Sequence, residues 1–127
     1  MKSNGGIRTG VILAAHGSRR TEGQTTLRRY ARTLEKQGAG LRVQCAFLEI
    51  NRPSIPEALG KMSKDGMDRV VLVPFFLLAG RHTRIDLPRM VRRARREFPG
   101  TRFQLAGFIG FDQRLAVILA DRAKKAK

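Results

Sequence analysis

The chain has 127 residues, 42% of them apolar, which suits one compact domain with a real core and excludes disorder of the whole chain. Lysine and arginine number 26 against 10 acids, for a formal net charge of +16, and 19 of the 26 are arginine. A single cysteine, Cys45, excludes an internal disulfide framework and a Cys-x-x-Cys metal knuckle, and no apolar run reaches the roughly 18 residues of a membrane span.

Residues 1–10 lack the apolar core of a secretory signal and read as a flexible leader; a cytoplasmic location is the simplest expectation. Val11 to Ala15 is a short apolar run bounded by Gly10 and by His16-Gly17-Ser18, the pattern of a buried strand. Thr21 with Gln24 predicts a capping box, and Leu27, Tyr30, Ala31 and Leu34 then form one helical stripe that Gly38 and Gly40 stop. Leu41 to Glu49 reads as the second strand, broken by Asn51-Arg52-Pro53. Ile55, Ala58, Leu59 and Met62 mark the next helix, ended by Gly66.

Val70 to Phe76 is continuously apolar, as a central parallel strand buried on both faces would be. Leu77 to Ile85 reads as a loop carrying Gly80. Asp86 is the expected N-cap of a helix with Pro88 in its first turn and Leu87, Met90, Val91, Ala94 and Phe98 inward. The other face of that helix carries Arg89, Arg92, Arg93, Arg95 and Arg96. Pro99-Gly100 leads into a fourth strand, Arg102 to Ala106. The last helix is expected from about Asp112 to Arg122 with Leu115, Ile118 and Leu119 inward, followed by a fraying basic tail at 124–127. The order βαβαβαβα predicts an α/β fold: residues 11–123 form a small four-stranded parallel sheet with helices on both faces. Four strands make a half-unit of the doubly wound kind, so pairing with a second copy is an expected completion.

Ligands of open parallel sheets bind beyond the carboxyl ends of the strands. His16 follows strand one, Glu49 closes strand two, and His82 lies in the loop after strand three, at steps of 33 residues. These are the only two histidines in the chain. Imidazole nitrogen and carboxylate oxygen suit borderline divalent ions such as cobalt, nickel, iron or zinc, and both groups exchange protons near neutral pH. Taken singly, each has an ordinary alternative role: His16 as a turn residue, His82 as a solvated loop residue, Glu49 as a cap or the partner of an arginine. Their joint placement at one edge favours a metal-handling site. No Walker loop, Gly-x-Gly-x-x-Gly or Gly-x-Ser-x-Gly accompanies it, so neither a nucleotide nor a serine nucleophile is indicated.

Three stretches carry a family resemblance: Leu13-Ala14-Ala15-His16-Gly17-Ser18-Arg19; Ala46-Phe47-Leu48-Glu49 with Arg52-Pro53-Ser54-Ile55; and Val73 to His82 running into Asp86-Leu87-Pro88. In these the chain resembles the ATP-independent, class II tetrapyrrole chelatases, in particular the short sirohydrochlorin cobaltochelatases of cobalamin and sirohaem biosynthesis. The resemblance implies a chelatase-like half-unit fold, a homodimer, and no permanently bound cofactor. The divalent metal, cobalt or alternatively nickel or iron, is then a substrate. It implies His16 and His82 as metal ligands, with Glu49 assisting catalysis. Arg19, Arg20, Arg81 and Arg84 become candidates for holding the carboxylates of a sirohydrochlorin-type tetrapyrrole. No histidine-rich tail is present. The competing reading is a basic nucleic-acid-binding module, motivated by the net charge and the arginine face of residues 87–98. The scarcity of aromatics free to stack on bases speaks against it, as no membrane partner is indicated either.

Overall fold

In the computed structural model, residues 6–38 and 40–127 are described; residues 1–5 of the expected leader lie outside them. Strands β1 (Thr9–Ala15), β2 (Leu41–Phe47), β3 (Arg69–Pro74) and β4 (Arg102–Leu105) form one parallel sheet in the order β2-β1-β3-β4. The chain steps outward from β1 to β2, then crosses back over β1 to β3 and on to β4. Right-handed crossovers therefore put α1 (Thr21–Gln37) on one face and α2 (Ile55–Lys64) and α3 (Leu87–Glu97) on the other. A fourth helix, α4 (Gln113–Lys125), follows β4.

The pleat of β1 divides the core. Ile12 and Ala14 join Val70, Leu72 and Phe103 against Ile55, Leu59, Met62, Leu87 and Val91 of α2 and α3. Leu13, with Cys45 and Phe47 of β2, packs under Leu27 and Ala31 of α1. These are the helical stripes and apolar runs expected from periodicity, and the α/β architecture holds.

Several boundaries differ from expectation, each for a local reason. β1 begins at Thr9 and not Val11, because Arg8 is already tied: its N–H donates to Asp68 Oδ2 at 2.8 Å, and its carbonyl accepts from Asp68 and Arg69. β2 ends at Phe47, so Glu49 lies beyond the strand rather than closing it. The Thr21 capping box does not form. Arg20 is the N-cap and Thr21 is already helical, while the Ser18 hydroxyl accepts the Arg20 N–H at 3.1 Å. The capping box of the molecule is at α2, where Ser54 and Glu57 bond each other's backbone N–H groups at 3.2 and 2.9 Å. Asp86 does not cap α3 either. A π-helical turn over His82–Asp86 runs straight into α3, with the Leu87 N–H donating to the His82 carbonyl five residues back. Pro88 has no N–H to contribute to this turn.

The largest departure concerns α4. None of its residues is buried: Leu115 is half-buried, and Ile118 and Leu119, expected to face inward, are 45% and 69% exposed. The α1 side of β3 is consequently only partly covered, so Val71 and Val73 are half-buried while Val70 and Leu72 are fully buried. β3 is a central strand by order but is sealed on one face. The helix also runs through Lys125, whose ammonium pairs with Asp121 at 3.1 Å, so residues 124 and 125 of the expected tail are helical.

Candidate functional site

Beyond the last residues of β1 and β2 the parallel ladder continues without strand geometry. The N–H of Leu48 donates to the Ala15 carbonyl and that of Glu49 to the His16 carbonyl, both at 3.0 Å. This pairing brings two side chains 33 residues apart together, with His16 Nε2 lying 2.6 Å from Glu49 Oε1. Both are about half exposed. Three further features hold the edge. Gly17 has φ +119°, and a Cβ at this position would overlap the Glu49 carbonyl oxygen. The Asn51 carboxamide oxygen accepts the Ser18 N–H at 2.7 Å, tying the loop after β1 to the loop after β2. The Asn51 N–H bonds the Glu49 carbonyl at 2.8 Å across Ile50, whose φ is 71°. A two-residue bond around a positive φ is the geometry of a γ-turn of the rare kind, and a β-branched residue there is strained. Such strain collects at sites where one side chain must be aimed.

His82 arrives from the third strand. Its ring centroid is 5.4 Å from that of His16, at a 52° tilt, and 6.5 Å from Phe76, against which it stacks at 29°. Its Nδ1 lies 2.8 Å from Asp86 Oδ2. The three residues singled out by position relative to the strands are therefore neighbours in space. Asp86 and Asn51 also belong to this edge, although in the sequence the first reads as a helix cap and the second as a strand breaker, because both residue types serve those commoner ends.

Two imidazoles and one carboxylate at an open, half-exposed edge suit a transiently held divalent ion and the acceptance of protons. Among the described residues no group of three or more His, Cys, Asp or Glu side chains is set to hold a metal ion by itself. A cavity of about 500 Å³ opens beside this edge, lined by His16, Ser18, Glu22, Thr26, Tyr30 and Phe75. Tyr30 and Phe75 pack at 5.2 Å, giving it an aromatic wall.

Arg19, Arg20, Arg81 and Arg84 are all exposed around this edge. The arginine face of α3 is partly committed within the fold: Arg95 donates twice to the Phe103 carbonyl at 3.1 and 3.0 Å, and Arg93 pairs with Glu97 at 2.7 Å. That reduces the continuous cationic stripe on which the nucleic-acid reading rested. No helix among the described residues is long and apolar enough to cross a membrane.

Residues 10–126 match the CbiX family. The chain is 36% identical over 116 residues to a sirohydrochlorin cobaltochelatase of Sulfurisphaera tokodaii, covering 91% of this chain and 92% of that protein. It is 32% identical to the chloroplastic sirohydrochlorin ferrochelatase of Arabidopsis thaliana, covering 96% of this chain but 54% of the plant protein. Among solved structures, a cobalamin biosynthesis CbiX protein of Marinobacter aquaeolei aligns at a TM-score of 0.74 and 31% identity, over 92% of this chain and 95% of that one. The sirohydrochlorin chelatase SirB of Bacillus subtilis, solved in complex with cobalt, aligns at 0.85 and 24% identity over 93% of this chain and half of its own, a likeness of fold.

Proposed function

We propose that this chain, which belongs to the CbiX family, inserts a divalent metal ion, cobalt in the first instance, into sirohydrochlorin without ATP. The observation that carries the reading is the meeting of His16, Glu49 and His82 at one sheet edge, with the two imidazole centroids 5.4 Å apart. In this reading His16 and His82 receive the ion, with open coordination positions left for pyrrole nitrogens. The two pyrrole protons leave to the His16–Glu49 pair, whose 2.6 Å contact gives the proton a second acceptor. The macrocycle binds the ion far more tightly than two imidazoles, so transfer runs downhill without a nucleotide. Iron and nickel suit the same donors, and the ferrochelatase name of the plant relative makes iron the first alternative.

Arg19, Arg20, Arg81 and Arg84 are assigned to the carboxylate rim of the substrate through charge-assisted hydrogen bonds. The Tyr30–Phe75 cavity takes one edge of the ring. A second copy of the chain forms the facing wall. The support for this is the apolar surface formed by Leu77, Leu78, Phe111 and Leu119, each more than half exposed and gathered around one groove. Contiguous exposed apolar side chains of this kind mark a surface that a protein partner covers. The same reading places the reaction in the cytoplasm, where the buried Cys45 thiol stays reduced.

The test is an absorbance assay with sirohydrochlorin and cobalt, nickel or iron(II), using the purified wild type and His82→Ala. Wild-type protein should accelerate the spectral change of insertion. His82→Ala should keep its circular dichroism and lose about 100-fold in rate or more. Wild-type rates in the variant would defeat the assignment.

A further inference from the structure

The geometry points to Asp86 as a positioning residue that holds His82 with Nδ1 protonated and Nε2 turned toward the incoming metal ion. This rests on the chelatase reading for the identity of the ion's destination, but not for the binding of the ion itself.

Asp86 Oδ2 lies 2.8 Å from His82 Nδ1, and the pair is partly withdrawn from solvent, with side chains 26% and 42% exposed. The carboxylate is free for this task because it does no capping. Asp86 has helical angles, φ −68° and ψ −47°, and its side chain accepts no backbone N–H of α3. A residue at this position with those angles has passed the point where an N-cap acts. The π-helical turn keeps residues 82 and 86 on the same side, and Pro88 follows at once in the first turn of α3. Phe76 packs along the imidazole at 6.5 Å and 29°. With a carboxylate on one nitrogen and an aromatic ring along one side, the imidazole has one nitrogen left to offer, Nε2.

The two histidines are thus prepared differently. His16 meets Glu49 through Nε2, at the same open edge where that carboxylate must act. His82 meets its carboxylate through the other ring nitrogen, Nδ1. A carboxylate accepting from the far nitrogen of a ligating histidine fixes its tautomer and raises its basicity as a ligand. We therefore assign His82 as the pre-set ligand and His16 as the one coupled to proton removal. A plain helix-surface pair of the same i, i+4 spacing would affect stability slightly and metal binding not at all.

The experiment uses the full chain with ¹⁵N-histidine and cobalt(II) alone as the probe. Long-range ¹H–¹⁵N correlation should give His82 in the wild type as the Nδ1–H tautomer. In Asp86→Ala it should move toward the Nε2–H form, and cobalt(II) affinity, measured by competition with a coloured chelator, should fall about 10- to 100-fold. Asp86→Asn keeps an acceptor but loses the charge, so it should retain the tautomer with intermediate affinity. Asp86→Glu should restore most of the binding. An Nε2–H tautomer in the wild type overturns the assignment. So does a folded Asp86→Ala that binds cobalt(II) within about twofold of the wild type. If Asp86→Ala does not fold, equal affinity of Asp86→Asn and wild type has the same force. A wild type that binds cobalt(II) with the expected tautomer but inserts nothing defeats the chelatase reading alone.

Discussion

Gly17 stands between His16 and the tied Ser18, at φ +119°, with the Glu49 carbonyl oxygen where its Cβ would be. Gly17→Ala must either strain the backbone or push the two loops apart. Strain of this kind costs roughly 1–3 kcal/mol. A displacement of about 1 Å at a reacting centre costs on the order of 100-fold in rate. The expected outcome is a lowered melting temperature together with an insertion rate down about 10- to 100-fold. Gly107→Ala is the control, since nothing lies within 4 Å of a Cβ there. Thermal unfolding and the insertion assay on both variants check this. A Gly17→Ala variant indistinguishable from the control would show that the close approach is not needed to aim His16 and Glu49.

Helix α2 is held at its start by a reciprocal cap and α4 by Asp112. The Glu57 carboxyl is held below its ordinary value, first by the Ser54 backbone N–H and then by the Arg52 guanidinium. Asp112 is brought down to about 2 by the Arg114 side chain and backbone N–H, and that guanidinium is raised in turn. Both carboxyls are depressed in the folded state. Their contributions are therefore complete above the ordinary carboxylate range and are lost as pH falls through the depressed folded values. Ser54→Ala removes one side of the α2 box and should cost about 1 kcal/mol at neutral pH. It also removes the Ser54 hydroxyl that helps hold Glu57 ionised. The difference in stability between wild type and Ser54→Ala, followed by urea denaturation, should shrink as pH drops from 6 toward 3. A difference that grew in acid would contradict the cap. α2 matters to the site because its N-terminus sets where the Glu49–Pro53 turn must end, and Phe47 donates its N–H to the Pro53 carbonyl at 3.0 Å.

An exposed apolar surface sits on a chain of net charge +16. Two copies brought together repel over the Debye length, about 10 Å at 0.1 M salt, while apolar contact is not screened. Light scattering should therefore report about twice the 14.2 kDa chain mass, with the dimer favoured as ionic strength rises. Leu119→Arg, on the exposed face of α4, should shift the equilibrium to the single chain and slow insertion while leaving the folded domain intact. A variant that stays dimeric would move the interface elsewhere. On the proposed function, the same charge that resists pairing would favour a polycarboxylate at the edge where Arg19, Arg20, Arg81 and Arg84 lie exposed.

The alternation of strands and helices, most of the inward positions of α1, α2 and α3, and the three polar residues that follow β1, β2 and β3 are all legible in the sequence, though Tyr30 of the α1 stripe is 51% exposed. Periodicity reports which side chains must leave water, whereas the order β2-β1-β3-β4 is seen only in the folded sheet. What each polar residue faces is set by the fold. Asp86 could cap a helix or hold a histidine, and the π-helical turn at His82–Asp86 selects the second. Glu49 could close a strand or lie past it, and the Ile50 turn carries it past and onto His16. The stripe of α4 is the clearest case. Leu115, Ile118 and Leu119 have the spacing of a buried face, but periodicity cannot say whose surface buries it. Burial is a property of the neighbours in space, and among the described residues α4 has too few.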